Sequence, residues 1–209
     1  MKKLASSFPN MFLSLLGVCA ISGLIVTGAN IYTSGPIARS KAAALEEALR
    51  KVIPAFDNNP LQEMYRAGIA EGDSLSIYPA TKDGQPVGAA VESITRKGFS
   101  GEIKILVGFD AEGRLVDYSV LQHAETPGLG SKMDAWFRTD KNQQSVIGRS
   151  LAQGALSLAK DGGDVDGITA STITSRAFLD ALNRAYSAYA GANIDSQTGA
   201  SKINKTNNE

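Results

Sequence analysis

An uncharged apolar segment near the N-terminus limits what this chain can fold into more than any other feature. No Lys, Arg, Asp, Glu or His occurs from Leu4 to Ala38, and the part from Met11 to Ile31 is mostly apolar. A helix of about 20 apolar residues crosses a membrane core about 30 Å thick. The sequence therefore predicts one transmembrane anchor ahead of a more polar domain.

The alternative for this segment is a cleaved signal peptide, whose apolar region is shorter and ends in a small-x-small site. Here the run continues to Tyr32, whose amphipathic ring suits a membrane interface, and this favours an uncleaved anchor. Lys2 and Lys3 precede the segment, so we expect the N-terminus in the cytoplasm and the domain on the other side. Cys19 follows Val18, a poor match to lipid-modification sites, and is interpreted as an apolar-face residue.

Composition excludes several function classes. The 209 residues carry 21 basic and 21 acidic side chains, and no basic patch with interleaved aromatic residues occurs, so we expect no nucleic-acid partner. The chain has one cysteine, Cys19, and one histidine, His123. It therefore cannot form an intramolecular disulfide, a Cys-ligated metal cluster or a His-rich metal site from its own residues, and we expect no metal.

Hairpin signals predict an α+β fold with a mostly antiparallel sheet and flanking helices. Gly35-Pro36 is expected to break the first helix, and an amphipathic helix over Lys41–Arg50 is expected to end at Pro54. A further short helix is expected over Gln153–Lys160. Predicted strands cover Leu75–Tyr78, Val87–Thr95, Glu102–Phe109 and Leu115–Gln122, of which the last two form a hairpin with a half-buried alternation.

These elements divide the chain into four predicted parts. Residues 1–35 form the cytoplasmic N-terminus and the anchor, and residues 36–84 form a helical stalk and connecting region. Residues 85–190 form the folded domain. Residues 191–209 are polar and rich in Ser, Asn, Thr and Lys, so we expect a disordered tail.

A glycine-rich loop directly after the predicted hairpin is the first candidate site. It reads Glu125-Thr126-Pro127-Gly128-Leu129-Gly130, and its Pro and Gly residues prevent regular structure and allow a ligand to approach the backbone. His123 precedes it and is interpreted as a solvated residue or, alternatively, as a proton donor. Trp136 and Phe137 follow, and are expected to close the core or to stack on a ligand ring, with at least one in the core.

The second candidate site is the stretch from Asp166 to Ser175, where hydroxyl groups crowd the start of an apolar-periodic helix. We expect the first turn to direct Thr169, Ser171 and Thr172 at a common spot, and the helix to bury one face that includes Ile173. Free N–H groups and the helix dipole favour a phosphate there. The alternative is that these hydroxyls only cap the helix.

The two stretches together resemble the FMN-binding domain family. Thr169-Ala170-Ser171-Thr172, preceded by Asp166, is similar to the family's flavinylation motif, with Ala170 where Gly is commoner. Glu125 to Gly130 resembles the loop that packs against the flavin, and Gly98-Phe99-Ser100-Gly101 resembles the entry to a strand. The resemblance implies a mostly antiparallel, curved sheet, and FMN joined by a phosphoester to Thr172 and installed by a separate flavin transferase. It also implies cofactor contacts from Ser171, Thr169, Asp166, Glu125, Thr126, Gly128, Leu129 and Gly130.

Within this family, one anchor followed by one such domain resembles the G-subunit family of Rnf/Rsx-type ion-translocating oxidoreductases. This implies an electron-transfer component, not an independent catalyst, in the bacterial inner membrane with its domain on the outer side. The expected partners are iron–sulfur and flavin subunits of the complex, the transferase and membrane lipid. The alternatives are the C-subunit family of sodium-translocating NADH:quinone reductases, a stand-alone flavoprotein and a membrane-anchored binding module without redox function.

Overall fold

The computed structural model describes residues 7–69 and 72–191. The chain divides into two compact units, residues 1–44 and residues 45–209. The first unit holds most of a 45-residue helix, α1 (Phe8–Val52), and the second holds the C-terminal end of that helix and the rest of the chain. Five strands and two more helices belong to the second unit: β1 (Tyr65–Gly68), β2 (Ser74–Lys82), β3 (Gln85–Thr95), β4 (Ile103–Asp110), β5 (Leu115–Gln122), α2 (Met133–Trp136) and α3 (Thr172–Ala190).

Helix α1 is long and apolar enough to cross a membrane, and no residue of its most apolar stretch is buried. The predicted break at Gly35-Pro36 was wrong, because Pro36 lies inside the continuous helix. Proline removes one helical hydrogen bond. The strong helix formers that follow Pro36, including three consecutive alanines, favour continuation. The predicted helix over Lys41–Arg50 is thus the last part of α1, which ends at Val52.

The five strands form one antiparallel meander in the order β1-β2-β3-β4-β5. This confirms the α+β prediction and all four predicted strands. Strand β1 was not predicted, and its four residues are exposed or half-buried, so they lack an alternating apolar pattern. Strands β1 and β2 come from the region expected to be a stalk and connection, and they pair in the same sheet as the later strands.

The sheet is covered on both faces. Ile103, Ile105, Val107 and Phe109 of β4 join the main core with α3, whereas Leu106 joins a second cluster with the end of α1. The predicted half-buried alternation of β4 was therefore wrong for the middle of the strand. At Gly108 a Cβ would lie 1.7 Å from the Val52 carbonyl oxygen, so only glycine allows the end of α1 to approach this closely.

Helix α3 is buried on nearly all sides, not on one face as expected. Every residue from Ala177 to Ala188 is buried, and polar residues among them are paired: Asn183 exchanges two hydrogen bonds with Leu156, and Asp180 accepts one from Thr95. Ile173, which the periodicity assigned to the core, is 50% exposed. The helix ends at Ala190, and the left-handed φ of 62° at the next residue, Gly191, caps its C-terminus. The predicted disordered tail beyond Gly191 lies outside the described residues.

The connection from β5 to α3 is largely irregular. It contains α2 and 3₁₀ turns at Gly130–Lys132, Leu151–Gln153 and Ala159–Asp161. The helix predicted over Gln153–Lys160 is absent from this described segment; the chain there extends into an isolated bridge between Leu158 and Val165. Gly154 has a φ of 155°, which is incompatible with continuing the preceding turn.

Candidate functional site

A cleft of about 330 Å³ lies where the Gly-rich loop after β5 meets the first turn of α3. The two candidate stretches, some forty residues apart in sequence, thus form one site. Nine residues from three segments line the cleft: Phe99; Glu125, Thr126 and Leu129; and Ala170, Ser171, Thr172, Ile173 and Thr174. The volume is at the lower end of the range of about 300–1,000 Å³ that is typical of small-molecule sites.

Glu125 joins the three segments. Its side chain is only 3% exposed, its Oε1 accepts a hydrogen bond of 2.9 Å from the Ser100 backbone N–H, and its Oε2 accepts one from the Thr174 hydroxyl. The Ser171 hydroxyl in turn donates to Thr174 Oγ1 at 3.0 Å. A buried carboxylate needs such partners, because an unpaired charge in the interior is costly. Glu125 therefore acts as a structural link beneath the cleft.

Two glycines allow this close packing around Glu125. At Gly130 a Cβ would lie 2.8 Å from both the Glu125 Cβ and the Thr174 Oγ1, and at Gly98 it would lie 2.7 Å from the Glu125 Oε1. Side chains at these positions would push the loops away from α3. Glycine at positions 98 and 130 therefore allows both segments to lie in close contact with Glu125.

The turn that leads into α3 is held by Ser175. Its hydroxyl accepts a hydrogen bond of 2.9 Å from the Ile168 backbone N–H and donates one of 2.9 Å to the Ser171 carbonyl. Ala170 within this turn has a φ of 60°, a left-handed conformation that costs an L-residue about 1–2 kcal/mol. This explains physically why glycine suits the position of Ala170.

The hydroxyl groups of the motif do not point at one common spot. Ser171 is the N-cap residue of α3, yet its side chain makes no capping hydrogen bond and turns inward to Thr174. Thr172 is the first residue of α3 and its Oγ1 accepts a hydrogen bond from the Lys160 ammonium group. Thr169 is exposed in the preceding turn and is not among the residues that line the cleft. Simple capping by Ser171 is therefore not what the geometry shows.

The mouth of the cleft is apolar. Outside α1, six large hydrophobic side chains of the described residues are exposed, and three of them line this cleft: Phe99 at 67%, Leu129 at 39% and Ile173 at 50%. Exposed apolar side chains that cluster around a concavity mark ligand or partner sites. The clustering accounts for the exposure of Ile173, which the helical periodicity alone had assigned to the core.

Other predicted residues support the cleft from outside its lining. The Asp166 carboxylate accepts a hydrogen bond of 3.2 Å from the Gln143 N–H, and its carbonyl accepts one of 2.8 Å from the Trp136 indole. Gly128 has a φ of 75° and donates its N–H to the Ser131 hydroxyl at 2.9 Å. The His123 Nδ1 accepts a hydrogen bond of 3.1 Å from the Glu125 N–H.

The aromatic residue at the cleft differs from those considered in the sequence. Phe137 is fully buried and stacks on Phe178 with ring centroids 4.5 Å apart, which confirms a core role for at least one of the pair Trp136 and Phe137. Trp136 packs partly buried against the same core. Phe99 supplies the exposed ring instead, and its only sequence signal was the Gly98–Gly101 turn.

Sequence reasoning did not place Ser100, Lys160, Ile173 or Thr174 at the site. Ser100 and Thr174 act through hydrogen bonds to Glu125, and Lys160 reaches Thr172 from twelve positions earlier in the chain. No local pattern marks such contacts, because they depend on how the irregular connection folds back on α3. The position of Thr174 inside the hydroxyl-rich stretch was the one available signal.

Comparison of the sequence with known proteins identifies the family of this chain. Residues 98–187 match the FMN-binding domain family. Relatives named as the G component of an ion-translocating oxidoreductase complex occur in several bacteria. The chain is 33% identical to the one from Aliivibrio fischeri (84% of this chain and 86% of the relative), and 35% identical to that from Shewanella loihica (86% and 88%). It is 36% identical to that from Photorhabdus laumondii, over 79% of this chain and 84% of the relative. With this identity over most of both lengths, and with the matched residues enclosing the cleft, the chain belongs to the FMN-binding domain family and, within it, to the G-subunit family of ion-translocating oxidoreductase complexes.

Proposed function

We propose that this protein carries FMN, bound covalently through a phosphoester to Thr172, as an electron-transfer component of a membrane-bound ion-translocating oxidoreductase complex. The observation that carries the proposal is the cleft itself. It has the Thr172 hydroxyl at a helix N-terminus on one side and the exposed apolar side chains of Phe99, Leu129 and Ile173 at its mouth. FMN carries its phosphate and its aromatic ring at opposite ends of a ribityl chain, so a helix N-terminus beside apolar side chains suits both ends.

The polar side of the cleft suits the phosphate. Thr172 begins α3, and the first N–H groups of an α-helix have no acceptor within the helix. The positive end of the helix dipole and these N–H groups favour an anion. Lys160 adds a full positive charge at the Thr172 hydroxyl. Of the other motif residues, Ser171 lines the cleft and Asp166 would shape the turn that a transferase recognises, whereas the exposed Thr169 lies outside the cleft lining.

The apolar side of the cleft suits the isoalloxazine ring. Phe99, Leu129 and Ile173 would cover the ring and exclude water, and Thr126 would contact its edge. Glu125, Gly128 and Gly130 would hold the loop in place without needing to touch the ring. The flavin itself would supply the redox chemistry, since it accepts one or two electrons, and the protein would set its surroundings. This division of work makes the chain a carrier and not an independent catalyst.

Attachment would need a second enzyme and a flavin donor. The Thr172 oxygen would form a bond to the phosphorus of the FMN moiety of FAD, while the pyrophosphate bond of FAD breaks and AMP leaves. The hydroxyl proton would pass to a base of the flavin transferase. No redox change accompanies this step. In this account Thr172 is an attachment point and takes no part in electron transfer.

The names of the relatives support membership of a multisubunit complex. The proposed partners are iron–sulfur and flavin subunits of that complex in the bacterial inner membrane. Helix α1 would be the single membrane span, with the N-terminus in the cytoplasm and the flavin domain on the outer side. The segment from Leu4 to Ala38 has no ionisable side chain apart from Cys19 and Tyr32, so the ion pathway would belong to other subunits.

The test is covalent flavin incorporation. We would produce the full-length protein together with a flavin transferase, separate it on a denaturing gel and view the gel under ultraviolet light. A fluorescent band is expected for the wild type and for Thr169→Ala, and no band for Thr172→Ala. The Thr169→Ala control removes a hydroxyl from the same turn but not the proposed acceptor. Intact-mass measurement should show one FMN moiety on the wild type.

Two outcomes would contradict the proposal in different ways. An unmodified wild-type polypeptide would leave an anchored binding module without a redox group. A fluorescent band that persists in Thr172→Ala and disappears in Thr169→Ala would make Thr169 the acceptor. If the flavin is present, co-purification with other membrane subunits then distinguishes a component of a complex from a stand-alone flavoprotein.

A further inference from the structure

The side chain of Lys160 reaches the proposed attachment point from a separate segment of the chain. Its Nζ donates a hydrogen bond to the Thr172 Oγ1 at 2.5 Å. The contact joins residues twelve positions apart and brings an exposed ammonium group to the oxygen that would carry the phosphate. The Lys160 ammonium group therefore lies at the proposed attachment point.

The turn that carries Lys160 is fixed to α3 by a neighbouring ion pair. Arg176 donates two hydrogen bonds to the Asp161 carboxylate, at 2.8 Å and 2.6 Å. Thr172 and Arg176 are four residues apart, so they lie on the same face of α3, one helical turn from each other. Lys160 and Asp161 are adjacent in the 3₁₀ turn, and the turn and the helix therefore meet at two successive points.

Backbone hydrogen bonds hold this turn in place. The Ala159 N–H donates to the Val165 carbonyl at 2.8 Å, and the Gly163 N–H donates to the Leu158 carbonyl at 3.0 Å. A Cβ at Gly163 would lie 2.2 Å from the Ser157 carbonyl oxygen, so the turn is tightly packed as well. Lys160 is thus presented by an ordered element.

The charges near Thr172 indicate which group would offset the negative charge of a phosphate there. Arg176 is engaged by Asp161, and its hydrogen bonds hold the pKa of the Asp161 carboxyl below its usual value, so this pair is fully ionised near neutral pH. Glu125, the one acidic residue that lines the cleft, is engaged by Ser100 and Thr174 and offers no positive charge to a phosphate. A phosphodiester on Thr172 carries one negative charge. The ammonium group of Lys160 is the cation positioned to offset it.

We propose that Lys160 is the phosphate-binding cation of this site, holding the phosphoryl group at Thr172 both during transfer and in the finished protein. The inference rests on the proposed attachment of FMN to Thr172. It assigns binding and orientation to Lys160, and no proton abstraction, because an ammonium group that donates a hydrogen bond to the hydroxyl is not a base. Arg176 and Asp161 are positioning residues that act through Lys160.

The first test compares initial rates of flavin incorporation into full-length variants. Lys160→Gln is expected to reduce the rate about tenfold, the order expected when one charge-assisted hydrogen bond is lost. Lys160→Arg should restore most of the rate because it keeps the charge, and Arg176→Gln should have a smaller effect. Lys82→Gln, at an exposed lysine of β2, is the matched control and should behave as the wild type.

A second test isolates the phosphate contact from the transfer reaction. In a Thr172→Val background, which lacks the acceptor, binding of free FMN and of riboflavin is measured by flavin fluorescence. Adding Lys160→Gln should weaken binding of FMN about tenfold. Riboflavin binding should not change, because riboflavin lacks the phosphate. Equal effects on both ligands would indicate a general structural role and would overturn the inference.

The two proposals fail differently. If the wild type acquires no flavin, the covalent attachment itself is wrong. If the wild type and Lys160→Gln acquire flavin at the same rate, the attachment stands and the role of Lys160 is wrong. Circular dichroism spectra of all variants should match, since Lys160 is exposed and its replacement removes no core contact.

Discussion

Glu125 shows how one buried side chain can organise a ligand site that it need not touch. Its two carboxylate oxygens are used by the Ser100 N–H and by the Thr174 hydroxyl, which fixes the turn before β4 and the first turn of α3 relative to the same loop. Hydrogen bonds to an ionised acceptor are stronger than hydrogen bonds between neutral groups. The site is therefore largely formed before any ligand binds.

Ala170 is the residue where a stabilising change can be predicted. Its φ of 60° is strained for alanine, so Ala170→Gly should raise the free energy of unfolding by up to about 1 kcal/mol, after allowing for the greater freedom of glycine in the unfolded chain. Urea unfolding followed by the fluorescence of Trp136, the only tryptophan, measures this change. Flavin incorporation should be retained.

The matched control for this prediction is Ala177→Gly. Ala177 is buried inside α3, where glycine costs about 1 kcal/mol, so this variant should be less stable than the wild type. A loss of stability in Ala170→Gly would mean that the left-handed turn is not strained.

At the residue scale, the sequence indicated the segments of the site but not its hydrogen bonds. Thr172, Ser171, Glu125, Thr126 and Leu129 were expected to act together, and all of them line one cleft. Motif spacing identified them because both stretches are continuous in sequence. Long-range contacts such as Lys160 to Thr172 have no such signal, since they arise from tertiary folding of an irregular connection.

The loop and the helix are the elements whose fit determines the shape of the cleft, and Gly130 lies at their closest approach. In Gly130→Ala the new Cβ would lie 2.8 Å from the Thr174 Oγ1, so the loop must move away from α3. Overpacking of this kind costs about 1–3 kcal/mol. We expect lower stability in urea and slower flavin incorporation, because the displaced loop no longer forms the cleft wall.

Gly148→Ala separates this effect from a general loss of stability. Gly148 has a φ of 75° and nothing within 4 Å of an added Cβ, so its replacement strains the backbone without a collision. It should cost about 1 kcal/mol and leave the rate of flavin incorporation unchanged. Equal rates for the two alanine variants would show that the loop adapts without consequence for the site.

The predictions of individual elements were wrong where tertiary packing overrides the local sequence pattern. Pro36 predicts a helix break, yet α1 continues because strong helix formers follow this residue. The alternation of β4 predicts a half-buried strand, yet the end of α1 covers the second face of the strand at Leu106. Strand pairing was predictable because the hairpin of β4 and β5 is joined by a short Gly-containing turn, which is a local signal.

At the scale of the whole molecule, an FMN-binding domain follows a helix that is long and apolar enough to span a membrane. Every residue that lines the cleft lies between Phe99 and Thr174, well beyond the apolar part of α1. The anchor would therefore fix the side of the membrane on which the flavin works, while the domain fixes its chemical surroundings. The orientation of α1 is the property on which the proposed function depends at this scale.

That orientation can be tested through the charges at the two ends of the span. Lys2 and Lys3 favour a cytoplasmic N-terminus, whereas Arg39 and Lys41 beyond the apolar segment oppose it. We expect protease added to spheroplasts to digest the domain of the wild type. The double variant Lys2→Gln and Lys3→Gln should leave a protected fraction, because the bias at the N-terminal end is lost. Arg39→Gln with Lys41→Gln should leave none, because it removes the opposing charges. A wild-type domain that protease reaches only after the membrane is disrupted would place the flavin on the cytoplasmic side.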